Sequence, residues 1–261
     1  MASSGGYWGE QSVIDGVHVS SRIISGVAVC SGSPTHCVAA IDEDVARHSV
    51  CLGFVNTFTA YLLAKNGNYQ SVLGKFILLN DGVGLDVVSL IKYGKRFGFN
   101  LNGTDFTPFY LKTTRHKYRI YLLGGKPGIA ERAAAALGII APQHDYVGAH
   151  DGYFDEAQNA DVVADIKAKG ADLVIVALGN PLQEIWIANN IDKVGAHLAI
   201  GVGALFDFLA EAIPRAPLWM RRAKLEWLYR LSLEPKRLWK RYIVITPALI
   251  VQALGEKSGL L

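Results

Sequence analysis

Cysteine is scarce in this chain of 261 residues: only Cys30, Cys37 and Cys51 occur, an odd number without CxxC spacing. That argues against a disulfide framework or a structural zinc site and makes a reducing compartment the default. The histidines show no HExxH and no paired spacing, and His150 adjoins a carboxylate, Asp151. No tightly bound metal is therefore expected. GxGxxG is missing too, since Gly201-Val202-Gly203 continues into Ala204-Leu205-Phe206, which weakens the case for a dinucleotide-dependent oxidoreductase. Long apolar runs are also lacking. The most apolar stretch near the end, Tyr242 to Leu254, is broken by Thr246, Pro247 and Gln252. A span needs about 20 apolar residues, so this segment suits a membrane interface rather than a crossing. Met1 to Gln11 have neither a basic n-region nor an apolar h-region, so no secretory leader is expected and residues 1–11 read as a loose tail. Repeats and low-complexity stretches are absent.

What is present describes a globular protein: 51% hydrophobic residues and a net charge of only +3 exclude disorder. Short apolar runs recur between helix-length amphipathic segments, the pattern of a mostly parallel sheet covered by helices. Strands are expected at Val50–Val55, Phe76–Leu79, Tyr118–Leu123, Tyr146–Val147, Leu173–Leu178 and Leu198–Val202. Helices are expected at Thr57–Lys65, Val83–Tyr93, Phe106–Thr113, Pro127–Leu137, Asn159–Lys169 and Pro181–Asn190. The fold class is thus α/β and Rossmann-like, with residues 1–211 as the core.

Residues 211–241 hold nine Lys/Arg against three Glu, a net +6, together with Trp219, Trp227 and Trp239. A basic, Trp-bearing end on a mildly acidic body suits an anionic surface. Pro214 and Pro217 precede an expected helix over Leu218–Leu233, and Pro235 precedes another carrying Arg237, Lys240 and Arg241. Residues 212–261 therefore read as a helical, membrane-associating appendage.

In open α/β sheets ligands bind beyond the carboxyl ends of the strands, so the loops there carry the candidate site. Gly124-Gly125-Lys126-Pro127-Gly128 is either a phosphate cradle at a helix N-terminus or a tight turn. Asp81, flanked by Asn80 and Gly82, can serve as a general base or cap the next helix; the local pattern favours the cap. Gln183 and Glu184 fall in a first helical turn, where Glu184 suits the dipole and the pair can also read a base or sugar. Asp207 can cap or bind. Arginines at 230, 237 and 241 align only if both helices fold over one opening, where guanidinium groups would hold a diphosphate or meet anionic lipid.

Eight motifs occur in register: Asn80-Asp81-Gly82, Asn102-Gly103-Thr104-Asp105-Phe106, Leu123 to Gly128, Gly148 to Phe154, Gly179 to Glu184, Gly201 to Asp207 with Arg215-Ala216-Pro217, Glu226 to Arg230, and Glu234 to Arg237. From about Asn56 to Tyr242 the chain resembles the WecG/TagA/CpsF family of bacterial glycosyltransferases. The resemblance implies an inverting enzyme that moves a sugar from a UDP-sugar to a sugar-diphosphate-polyprenol acceptor. It would act peripherally at the cytoplasmic face of the inner membrane. It implies Asp81 as general base with Asn56 in the same pocket. Gln183, Asp207, Gly124 and Gly125 would help bind substrate, and Arg230, Arg237 and Arg241 or Lys240 would close over the diphosphate. No cofactor, metal or nucleic-acid partner is implied, and a homo-oligomer is compatible. Some members carry threonine where this chain has Phe54, and teichoic acid enzymes carry arginine where it has Asn100. The stretch ending in Phe106 looks closer to xanthan-type exopolysaccharide enzymes, which favours a β-1,4-glucosyl transfer from UDP-glucose over an N-acetylmannosamine donor. A nucleotide-dependent oxidoreductase and a non-catalytic membrane adaptor are the competing classes, the latter requiring Asp81, Gln183 and Asp207 all to be structural. Deleting residues 212–261 is expected to abolish turnover and leave a folded core.

Overall fold

Strand residues that alternate between two apolar layers set the architecture. In a computed structural model, which describes residues 11–14, 17–223 and 225–258, with side chains except those of 11–19, 222, 237 and 256–258, nine strands form one sheet. Strands β1 (Gln11–Ile14), β2 (Val17–Ile24) and β3 (Val27–Ser31) pair antiparallel. Helix α1 (Pro34–Val45) begins at Ser33, whose hydroxyl accepts from the His36 amide, with Pro34 in the first turn. There follow β4 (Val50–Val55), α2 (Thr57–Lys65), α3 (Gly67–Leu73), β5 (Phe76–Asn80), α4 (Val83–Tyr93) and α5 (Gly103–Thr113). Next come β6 (Arg119–Gly124), α6 (Ile129–Ile140), β7 (Asp145–His150), α7 (Glu156–Ala168), β8 (Leu173–Ala177), α8 (Leu182–Val194), β9 (Leu198–Gly201) and α9 (Leu205–Leu209). The last segments are α10 (Leu218–Arg222), α11 (Glu226–Leu233), α12 (Pro235–Trp239), a π-helical stretch Lys240–Ile245 and α13 (Thr246–Ser258).

The strand order is β1-β2-β3-β5-β4-β9-β8-β6-β7, with every pairing from β3 onward parallel. Successive strand side chains point to opposite faces. Val50, Leu52 and Phe54 of β4 accordingly join α1, α5, α6 and α9 in one buried layer. Cys51 and Val55 face the other, with α2, α3, α4, α7 and α8. Burial on both faces makes these strands continuous apolar runs, as parallel sheets require. The expected α/β, Rossmann-like class with a mostly parallel sheet holds.

Several boundaries differ from expectation. Of the supposed loose tail, residues 1–10 lie outside the described residues, and Gln11 begins β1. The hairpin strands β1 to β3 and helices α1 and α3 escaped the sequence reading. The Leu218–Leu233 helix divides into α10 and α11, because the chain turns after Arg222 and the Leu225 amide returns to the Met220 carbonyl. Pro247 does not end the helix: the chain stays helical from Pro235 to Ser258, and the wider π-helical turn Lys240–Ile245 lies directly before the proline.

Helix α13 is not a free appendage. Leu249 and Ala253 are buried in the same apolar layer as Leu85 and Val88 of α4. The Thr57 and Thr246 hydroxyls hydrogen-bond at 2.8 Å. A Cβ on Gly84 would stand 2.4 Å from the Thr57 methyl and 3.4 Å from that of Thr246, so glycine there permits the close approach. Removing 212–261 would therefore uncover core apolar surface rather than leave an intact core. The opposite side of this region exposes apolar residues: Trp219 is 64% and Ile243 60% exposed, and Leu218, Trp239, Val244, Val251 and Leu254 are exposed too. Among the described residues no helix is long and apolar enough to cross a membrane.

Candidate active site

The strand order places β5 on one side of β4 and β9 on the other, with the chain reaching β9 from β8. At such a reversal the loops diverge and open a crevice. A cavity of about 540 Å³ lies there, walled by Phe54 and Asn56 at the end of β4, Asp81 after β5, Ala177 to Asn180 at the end of β8 and Gly201 to Ala204 at the end of β9. Gly103, Thr104, Phe58, Gln183 and Asp207 line it as well, and Arg230, Leu238, Lys240, Arg241 and Ile245 close it from the C-terminal segment.

Asn56 is the N-cap of α2. Its Oδ1 accepts from the Phe58 and Thr59 amides, both at 3.1 Å, and from the Thr59 hydroxyl at 3.3 Å. That commitment fixes the amide, and Nδ2 donates to Asp81 Oδ2 at 3.3 Å. The backbone amide of Asp81 donates to the Val55 carbonyl at 2.8 Å. Asp81 is not a helix cap: the cap of α4 is Gly82, at φ 91, and no side chain caps that helix. The Gly82 amide instead donates to Asn100 Oδ1 at 2.8 Å. The local preference for capping fails because a backbone turn and Asn100 already serve the loop, leaving the Asp81 carboxyl to the cavity. Burial pushes that carboxyl above the ordinary carboxylate value, while Arg241, the Asn56 amide and Arg230 pull it back down.

Gln183 and Glu184 enter the first turn of α8 as expected, and both are buried, at 2% and 1% exposure. Gln183 Oε1 accepts from the Gly203 amide at 3.0 Å, tying α8 to the loop after β9. Glu184 Oε1 accepts from Gln183 Nε2 at 2.7 Å and Asn180 Nδ2 at 2.6 Å, and its Oε2 accepts from the Tyr69 hydroxyl at 3.1 Å. Burial raises the Glu184 carboxyl, against the lowering effect of those hydrogen bonds. Asn180, preceding a cis peptide to Pro181, was missed by sequence reasoning; a polar residue between glycine and proline looks like ordinary turn chemistry.

The arginines reach the cavity from α11 and the π-helical stretch. Arg241 lies over the Phe58 ring at 5.3 Å and Arg230 over Phe208 at 5.5 Å. Arg215 also stands over Phe208, at 6.0 Å, and ion-pairs with Asp105 of α5 and Glu226 of α11. That bridge joins the C-terminal segment to the core beside Arg230. Phe58 and Phe208 left no sequence signal beyond apolarity. Arg237 falls in α12, but its side chain lies outside the described ones.

Gly124 and Gly125 do not line the cavity. β6 sits one strand beyond β8, and Gly124 pairs with Ala177 so closely that a Cβ would meet the Ala177 carbonyl oxygen at 2.4 Å. The Gly125 amide donates to that same carbonyl at 3.2 Å. Helix α6 starts only at Ile129, after Gly128. The Gly124-Gly125 turn thus stands apart from this cavity, and its glycines permit the close approach to β8. Among the described residues no three His, Cys, Asp or Glu side chains gather as a metal-binding group. The three cysteines are free buried thiols, with burial pushing Cys37 and Cys51 up to about 12.

The cavity therefore offers a carboxylate positioned by a fixed amide, facing cations on a segment that folds over it. Two known proteins are similar to this chain in sequence. An N-acetylglucosaminyldiphosphoundecaprenol N-acetyl-beta-D-mannosaminyltransferase of Bacillus subtilis (strain 168) is 33% identical over 208 residues, 78% of this chain and 79% of that protein. Its namesake in Bacillus spizizenii is 33% identical over 184 residues, 69% and 70% of the two chains. The model of the glycosyl transferase WecG/TagA/CpsF family matches residues 22–260, which takes in every strand of the parallel sheet and all the cavity residues named above. The chain belongs to the WecG/TagA/CpsF family of glycosyl transferases.

Proposed function

We propose that the protein transfers a hexosyl group from a UDP-sugar to the sugar of a sugar-diphosphate-polyprenol, with inversion at the anomeric carbon. The observation that carries this reading is Asp81, held by Asn56 at 3.3 Å at the bottom of a cavity closed by Arg230, Lys240 and Arg241. The Asp81 carboxylate takes the proton of the acceptor hydroxyl as that oxygen bonds to the anomeric carbon. The bond from that carbon to the diphosphate oxygen breaks, and UDP leaves with the electron pair. A carboxyl raised by burial makes a better proton acceptor than an ordinary aspartate. Arg230 and Arg241 meet the charge that develops on the leaving diphosphate, so the reaction needs no metal and turnover persists in EDTA. Gln183 and Asp207, in the same wall, contact the donor.

For the donor sugar, the names of the two Bacillus relatives favour N-acetylmannosamine. Glucose is the second reading, supported by Phe54 in the cavity wall and by Asn100, which holds the Gly82 amide instead of reaching into the pocket as a cation. The exposed Trp219, Trp239 and Ile243 beside basic residues would seat the enzyme peripherally on the cytoplasmic membrane face.

The test is transfer of radiolabelled sugar with two matched pairs: UDP-N-acetylmannosamine with a GlcNAc-diphosphate-polyprenol, and UDP-glucose with a glucosyl-diphosphate-polyprenol. Product from the first pair establishes the reaction and the donor named for the relatives. Product from the second alone keeps the reaction and assigns glucose. Absence of product from both pairs, with the full chain and detergent, would overturn this reading.

A further inference from the structure

Glu184 is buried in the cavity wall and is the meeting point of two amides that line the cavity. Its Oε1 accepts from both Asn180 Nδ2 and Gln183 Nε2. A carboxyl group holds this oxygen as an acceptor whether or not the group is ionised, because a proton can reside on the other oxygen. Neither amide can turn its oxygen toward Oε1 without setting two acceptors against each other. An amide's orientation is decided by such neighbours, and here the neighbour allows one answer. Gln183 is locked a second time, by the Gly203 amide on its Oε1. Asn180 is held from a second side by the Tyr69 hydroxyl, whose pKa its amide pulls down against the effect of burial.

We propose that Glu184 is a positioning residue that sets the orientation of the Asn180 and Gln183 amides. The wall then presents a hydrogen-bond acceptor at Asn180 and a donor at Gln183 to the bound sugar nucleotide. This deepens the transfer reading above and rests on it for the identity of the ligand, but not for the orientation itself. Tyr69, from α3, supports the hub by donating to Glu184 Oε2. The three donors come from α3, the loop after β8 and α8, so the carboxyl also fixes where these segments meet. The Asn180 acceptor would pair with an N–H or O–H of the donor substrate. Turning that amide would face a donor with a donor.

Three forms of the full chain make the test: wild type, Glu184→Leu, and Glu184→Leu combined with Asn180→Asp. Leucine removes the shared acceptor, whereas glutamine would keep an oxygen toward both amides and turn its NH2 to the Tyr69 hydroxyl. The double variant places a carboxylate at position 180, which presents an acceptor to the cavity in either orientation. Side-chain amide NMR resonances of Asn180 and Gln183 in the free protein read the orientation directly. KM for the UDP-sugar and kcat read its consequence, with Tm as control. Glu184→Leu is expected to shift both resonances and raise KM about tenfold, with kcat at saturation within about threefold, the scale of one misdirected hydrogen bond. The double variant is expected to return KM to within about threefold of wild type. Unchanged resonances in Glu184→Leu overturn the proposal. So does an unchanged KM, or a fall in kcat that tracks Tm and is not recovered in the double variant. Should the single variant fail to fold, the double decides: near wild-type KM supports the orientation, and a folded protein with KM raised tenfold overturns it. A wild type that turns over no UDP-sugar would refute the transfer reading alone, and the resonances would still decide the orientation.

Discussion

Asn56 and Asp81 lie 25 positions apart in sequence, yet Nδ2 of the first stands 3.3 Å from Oδ2 of the second. The Asn56 oxygen caps α2, and the remaining end of the amide has one direction left to point. Helix capping and placement of the candidate base are therefore one interaction, and the predictions that follow separate the two.

Asp81→Asn removes the proton acceptor and keeps the shape. Turnover is expected to fall about 10² to 10⁴-fold, with UDP-sugar affinity, measured by calorimetry, largely retained. Because burial raises the folded-state carboxyl above its unfolded value, its ionised form lowers stability, and stability is lost as pH rises through the folded value. Asp81→Asn is then expected to have a higher Tm than wild type at neutral pH and an equal one in acid below the unfolded value. A Tm at neutral pH lower than wild type would count against the burial account.

Asn56→Asp keeps an oxygen to cap α2 but puts a second carboxyl against Asp81. The base works ionised, so activity declines as pH falls through its pKa. A neighbouring negative charge raises that pKa, and the acidic limb of kcat/KM is expected to move to higher pH. Asn56→Ala loses the cap as well, at about 1 kcal/mol, and in acid, where the paired carboxyls of Asn56→Asp are protonated, its Tm should lie below that of Asn56→Asp.

Arg241→Ala and Arg230→Ala each remove a cation from the cavity wall. A lost charge-assisted hydrogen bond of about 1.5–3 kcal/mol corresponds to roughly ten- to hundredfold weaker UDP binding. The loss should shrink as salt rises. Arg241→Ala should in addition move the acidic limb upward, since Arg241 is the largest of the charges that lower the Asp81 value. Weakened vesicle binding with unchanged UDP affinity would assign these cations to lipid.

Gly84→Leu forces a side chain between α2, α4 and α13, where a Cβ already stands 2.4 Å from the Thr57 methyl. The C-terminal segment is expected to separate from the core, lowering kcat about tenfold or more and exposing residues near 240–258 to protease. Arg215→Ala loosens the same segment from its other end by breaking the Asp105 and Glu226 contacts. Wild-type turnover in both variants would mean that closure does not depend on these anchors.

Trp219→Ala with Ile243→Ser reduces the exposed apolar surface without touching the cavity wall. Co-sedimentation with anionic vesicles is expected to fall severalfold, while transfer to a water-soluble, short-chain acceptor is kept. Equal sedimentation would remove this face from the membrane reading.

How far the sequence carried differs from element to element. Val50–Val55, Thr57–Lys65 and Val83–Tyr93 were legible to the residue, because double-sided burial and helical periodicity write themselves as unbroken patterns. The β1 to β3 hairpin was not legible: its strands run along the antiparallel edge, where mixed residues such as Ser20, Ser21 and Arg22 are tolerated. Helix α1 was missed although Ser33-Pro34 is an N-terminal signal.

Of the candidate site, Asn56, Asp81, Gln183, Asp207, Arg230 and Arg241 were named from motifs and converge on one cavity. Gly124-Gly125 has the local chemistry of a phosphate cradle but stands away from this cavity, because β8 intervenes between β6 and the crevice, a fact of strand order that no local spacing contains.

The sequence by itself determined the strands from β4 onward, most of the helices that follow them, the family motifs and the basic, Trp-bearing end. Those depend on periodicity and composition within a few residues of each position. Only the tertiary structure decided that Asp81 is freed from capping by Gly82 and Asn100, that α13 is part of the core, and that Glu184 commands two amides. Each of these rests on contacts between segments distant in the chain, fixed by the order of the strands and by the need of every buried polar group for a partner.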